Sequence, residues 1–143
     1  MNVAESRETR TIVIGYDGSD AARRGLARVG GLLAHPAKLV LVSVVPELDA
    51  DTIRPEPLVG RDFDAERLLA EAAELVGERA GVAIERRTAA GDPAAVLVEV
   101  TREVHADLLI VGRRGSDFVT RTLLGSVAQR VVQNARCDVL VVA

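Results

Sequence analysis

The stretch DLLIVGRRGSDFVTRTLLGS, residues 107–126, decides how the rest of the chain is read. It opens on Asp107 and runs apolar to Gly112, the pattern of a central parallel strand covered on both faces. Two arginines, Gly115, nine residues, and then Gly125 and Ser126 follow, ahead of an amphipathic segment. A buried strand, a glycine-marked turn and a helix make one βα unit. The question is whether the chain repeats it.

Working outward, it does. TIVIGYD, residues 11–17, reads as strand one. A helix capped by Ser19 or Asp20 follows, with Ala22, Leu26, Val29 and Leu33 at steps that define one helical face. Residues 38–45, KLVLVSVV, form strand two. Residues 46–61 then break the rhythm with Pro46, Pro55 and Pro57, a connection long enough to be either a lid or a disordered link. A second helix is predicted over 62–80, with Leu68, Leu69, Ala72, Leu75 and Val76 inward. Strand three, 82–88, is bordered by charge and belongs at or near a sheet edge. Gly91, Asp92 and Pro93 mark a helix start, with Asp92 as cap and Pro93 in the first turn; Val96, Leu97, Val100 and Val104 are its apolar positions. After strand four, a helix over 123–133 carries Leu124, Val127, Val131 and Ala135, and DVLVVA ends the chain as strand five. Strand and helix alternating in this way predict an α/β fold with a mainly parallel sheet. Periodicity leaves the strand order open.

Composition agrees. The chain has 143 residues, which suits one domain over 11–143 after a flexible stretch at 1–10. Apolar residues make up 48% and aromatic residues only 2%, so the core must be Val, Leu, Ile and Ala. With Tyr16, Phe63 and Phe118 as its aromatics and a formal charge of -3, the chain lacks the stacking rings and basic footprint of nucleic-acid binders. Cys137 is alone, which excludes an internal disulfide, and reads as a small buried thiol. His35 and His105 fall at helix ends without a second ligand at metal spacing. The first ten residues are polar and no apolar run approaches the ~20 residues needed to span a bilayer. The expectation is a cytoplasmic protein with no membrane contact.

A ligand in such a fold belongs outside the carboxyl ends of the strands, at a switch point of the sheet. Two strand ends carry chemistry: Gly15 to Ser19 after strand one, and Gly112 to Ser116 after strand four. Glycine lets an anion approach the backbone at Gly112, Gly115 and Gly125. The helix start at Gly125 and Ser126 offers free amides and a favourable dipole, and Arg113 and Arg114 suit phosphate oxygens. Asp17 is placed to meet a ribose hydroxyl or a phosphate-bound metal. No lysine-bearing phosphate loop and no GxGxxG pattern occurs. No nucleophile, base and acid set stands out, so no catalytic residue is assigned.

The chain resembles the universal stress protein family over nearly its whole length. The family pattern G-x2-G-x9-G-(S/T) is complete as Gly112, Gly115, Gly125 and Ser126, and Asp17, the VVPE stretch after strand two and Gly91-Asp92-Pro93 also match. The resemblance implies a five-stranded parallel sheet in the order 3-2-1-4-5 with helices on both faces. It implies ATP, or ADP or AMP, with the adenine near Gly15, Asp17 and Val44. Ribose and phosphates would follow Gly112, Arg113, Gly115, Ser116, Gly125, Ser126 and Val127, accompanied by Mg or Mn. A regulatory role through nucleotide occupancy is then expected; slow ATP hydrolysis and cyclic AMP binding on the same fold are the alternatives. An apolar strand five at a sheet edge, as in family members, points to a homodimer. Two departures stand out: the basic Arg113-Arg114 pair, and Asp138 where proline is frequent.

Overall fold

Every strand expected from the sequence forms in the computed structural model, which describes residues 10–33, 37–45, 59–79, 81–113 and 124–143. In chain order they are β1 (Arg10–Gly15), β2 (Ala37–Val45), β3 (Val82–Ala90), β4 (Leu108–Gly112) and β5 (Asp138–Val142), with helices α1 (Asp20–Leu32), α2 (Val59–Val76), α3 (Pro93–Glu103) and α4 (Ser126–Asn134) between them. The sheet order is β3-β2-β1-β4-β5 and all four ladders are parallel. Thus β1 is central, with its sequence neighbour β2 on one side and β4 on the other.

Alternation along the strands explains the two layers. Ile12, Ile14, Leu39, Leu41 and Ile110 point to one face and pack with α1 and α2. Val13, Val40, Val42, Leu109 and Val111 point to the other and pack with α3 and α4. The near-continuous apolar runs read from sequence are therefore strands covered on both faces. On α1, Gly25 lets the helix lie close: a Cβ there would stand 3.3 Å from Ile110 Cγ2. The edge strand β3 is guarded. It lines up Glu85 and Arg87 beside Val40 and Val42, and Lys38 and Glu103 pair with these charges at 2.8 Å. Charged side chains of this kind discourage strand addition from outside.

Helix ends follow local chemistry. Ser19 Oγ accepts from the Ala22 amide at 3.2 Å and caps α1, while Asp92 Oδ2 accepts from the Ala95 amide at 3.0 Å and caps α3. Helix α3 closes with the Ala106 amide bonded to the Thr101 carbonyl at 2.9 Å and the exposed His105 at φ 52, the left-handed closure usually given to glycine. Strand β1 ends at Gly15, two residues short of expectation, β3 runs two residues beyond it to Ala90, and three helix boundaries differ as well. Helix α2 starts at Val59, three residues before the expected start at 62. It ends at Val76 because Gly77 turns left-handed at φ 71 and its amide returns to Ala73 at 3.0 Å. Helix α4 starts at Ser126, leaving Leu124 outside it. Leu75 and Leu124, both expected inside, are 56% and 36% exposed. The 46–58 connection, His35 and residues 1–9 lie outside the described residues, and Arg10 is already in β1.

Candidate functional site

The carboxyl ends of β2, β1 and β4 lie side by side, and of the expected site residues Gly15, Asp17, Val44, Gly112 and Arg113 fall at or just beyond them. Gly15 is in register with Val42, two residues before Val44. The Tyr16 amide extends this ladder by donating to the Val42 carbonyl at 2.8 Å, and Asp17 follows. Beyond the Ile14–Ile110 pair, β4 continues to Gly112, itself opposite Val142. The next residue, Arg113, is tied to the same strand by its amide, which donates to the Val142 carbonyl at 2.6 Å.

The turn after β1 is compact. Asp17 Oδ1 accepts from the Ser19 amide at 2.9 Å, a local bond that aspartate makes readily in turns. Gly18 takes φ 78, so a side chain there would be strained. Gly15 has a different reason to be glycine. A Cβ on it would stand 3.0 Å and 3.2 Å from the two methyl carbons of Leu97, so its bareness serves the contact between β1 and α3.

Across the site, α4 begins with Gly125 as its cap, at φ -60 and ψ 159, and no side chain caps that end. These angles suit any residue, so Gly125 is not glycine for conformational reasons. Its amide is engaged as well: it donates to the Arg113 carbonyl at 2.8 Å. The expectation that this amide faces an anion is therefore corrected. The bond closes the β4–α4 connection on itself, and the first amides of α4, from Ser126, Val127 and Ala128, are those a helix leaves without intrahelical partners. Ser126 is exposed and Val127 half-buried. Gly115 and Ser116, with Arg114, lie outside the described residues.

Two contacts around the site escape sequence reading. Arg130 of α4 donates to Asp92 Oδ1 at 2.7 Å, joining α4 to the α3 cap. Tyr16, 2% exposed, donates its hydroxyl to Glu71 Oε1 at 3.2 Å, and Arg23 reaches the same oxygen at 3.0 Å. Burial pushes the Tyr16 phenol above its ordinary pKa, the Arg23 hydrogen bond opposes the shift and Glu71 adds to it. The Gly91-Asp92-Pro93 helix start marks one member of the first pair; nothing local marks the second.

Reactive side chains stand elsewhere. His105 and Cys137 precede β4 and β5, at the opposite end of the strands. Burial raises the Cys137 thiol, which packs against the α3/α4 core. Among the described residues no group of three or more His, Cys, Asp or Glu side chains is placed to hold a metal. An open groove of about 520 Å³ between β3 and α3 is lined by none of the expected site residues, and its Arg87 is already paired with Glu85 and Glu103. No described helix is long and apolar enough to cross a membrane.

Comparison with known proteins places this geometry in a family context. A sequence model described as the universal stress protein family matches residues 8–143. A universal stress protein of Mycobacterium tuberculosis (strain H37Rv) is 33% identical over 139 residues, covering 93% of this chain and 95% of the relative. A universal stress protein crystallised in complex with cAMP is similar at TM-score 0.73 and 33% identity, over 94% of this chain and 97% of the other. The fold is also that of a universal stress protein from Lactobacillus plantarum, at TM-score 0.81 and 21% identity, over 96% of this chain and all of the other.

Proposed function

The chain belongs to the universal stress protein family, and from that membership we propose that it is an adenine-nucleotide-binding regulatory protein that acts through occupancy. The observation that carries this reading is the Gly125–Arg113 bond. It sets the start of α4, which no side chain caps, at the end of β4, the strand next to β1 in the sheet, and so supports a reading in which the first helix amides and the dipole meet a phosphate. Gly15, Asp17 and Val44 form the adenine and ribose side. Gly112, Arg113, Gly115, Ser116, Gly125, Ser126 and Val127 form the phosphate side, and Mg or Mn rides on the phosphates. Turnover is not invoked, because the described histidine and the cysteine lie at the far end of the strands.

ATP is the ligand of the leading reading. Cyclic AMP is the second, favoured by the 33%-identical relative crystallised in complex with cAMP. In either case the ligand stabilises the folded state, by about 2.7 kcal/mol at a hundredfold excess over Kd. The decisive measurement is calorimetry with ATP and cyclic AMP, supported by mass spectrometry of nucleotide that co-purifies. Absence of binding for ATP, ADP, AMP and cyclic AMP, with no thermal shift, sinks the reading. Competition between ATP and cyclic AMP assigns them to one site. Pairing of β5 with a second copy completes the proposed assembly: β5 is a sheet edge with Val139, Leu140 and Val141 only half-buried.

A further inference from the structure

Two side chains one turn apart on α2 press on the turn that carries Asp17. A Cβ on Gly18 would stand 2.8 Å from Leu68 Cδ2. Glu71 accepts the buried Tyr16 hydroxyl at 3.2 Å and pairs with Arg23 of α1 at 3.0 Å. On its backbone side Tyr16 is held by the Val42 carbonyl at 2.8 Å. Asp17 therefore departs from a residue clamped by the sheet through its main chain and by α2 through its side chain. Filling the core does not require this arrangement, since a phenylalanine ring occupies the same space. The hydroxyl adds a demand for a partner, and α2 supplies it from 55 positions away.

We propose that Tyr16, Glu71 and Arg23 are positioning residues that couple the Asp17 turn to helix α2, so that nucleotide occupancy and the placement of α2 bias one another. The inference rests on the nucleotide reading above. A ligand at the strand tips meets the turn from its open side, while Leu68 and Glu71 meet it from the other. A shift of the turn that improves contact with the ligand changes the Tyr16–Glu71 bond, and by linkage a change in that bond alters affinity by the same factor. The consequence is that α2 is the element that reports the occupied state.

The chain makes its own probe. Tyr16 is the only tyrosine and there is no tryptophan, so tyrosine emission reports this hydroxyl alone, and a carboxylate accepting from a phenol quenches it. The experiment titrates ATP and cyclic AMP into the wild type, Glu71→Gln and Arg23→Gln by emission and calorimetry, and into Tyr16→Phe by calorimetry. Saturation of the wild type is expected to change the emission, and the change to shrink in Glu71→Gln. Each variant is expected to bind about five- to tenfold more weakly, with Arg23→Lys recovering affinity and urea midpoints nearly unchanged. A merely structural role would move the midpoints and leave the emission response intact. Wild-type binding with unaltered emission, or wild-type affinity in Glu71→Gln, overturns the coupling while the nucleotide reading stands. Failure of the wild type to bind any of ATP, ADP, AMP and cyclic AMP overturns both.

Discussion

The amide of Gly125 donates to the carbonyl of Arg113 at 2.8 Å. That bond joins the two ends of the glycine-rich connection and brings a helix start to the tip of a central strand. The fold itself therefore builds the helix start on which the proposed anion site depends.

Ser126 tests this feature without disturbing the core. It is the first residue of α4 and exposed, so Ser126→Asp puts a carboxylate on the positive end of the helix. Unliganded stability should hold or rise by about 0.3–1 kcal/mol. Nucleotide affinity should fall more than about tenfold, since a charge-assisted bond worth roughly 1.5–3 kcal/mol is replaced by repulsion. Urea melts and calorimetry on the same samples check both halves.

Gly15 should behave as a packing residue. In Gly15→Ala the new methyl meets Leu97, itself 3% exposed. A loss of about 1 kcal/mol is expected from overpacking, measurable without any nucleotide. Leu97→Val in the same chain should recover part of it. An unchanged denaturation midpoint would return Gly15 to a purely ligand-facing role.

Asp92 does two jobs with two oxygens, capping α3 and pairing with Arg130. Asp92→Ala should cost about 1 kcal/mol for the cap, and the half-exposed ion pair should add less than that. The Arg130 guanidinium first, and the Ala95 amide second, hold the Asp92 carboxyl below its usual range. A depressed carboxylate contributes stability that is complete above its unfolded pKa, roughly 3.9, and is lost as pH falls through the folded value. Lys38 and Arg87 depress Glu85 in the same sense. Wild-type stability should therefore decline below about pH 4, and Asp92→Asn, which still caps, should flatten that decline.

The strand edges predict assembly. Edge β3 carries paired charges, whereas β5 offers Val139, Leu140 and Val141 half-buried. Light scattering after size exclusion should give a dimer at micromolar concentration, and Val141→Lys should give a monomer. A wild-type monomer under these conditions removes the β5 pairing.

Much of the molecule was legible in its residues. The runs at 11–17, 38–45 and 107–112 declared buried strands, and Asp92-Pro93 declared the start of α3, because caps and apolar runs act through near neighbours. Errors arose where a distant partner decides. Leu75 satisfied the helical period yet faces solvent, since period says which residues share a face but not how far the neighbouring layer extends. Leu124 looked like the first apolar position of α4 until Gly125 took the cap. The glycine pattern was legible, and the use of the Gly125 amide was not.

By itself the sequence determined the βα alternation, the two-sided burial of the central strands and a glycine-marked start for the last helix, all consequences of local propensity and pattern. Tertiary structure alone decided what those parts meet. The Gly125 amide closes on Arg113, Gly15 is bare for Leu97, and Tyr16 finds Glu71 across 55 positions. Each depends on the distance between elements remote in the chain, which is set by how side-chain layers pack and is written in no single stretch.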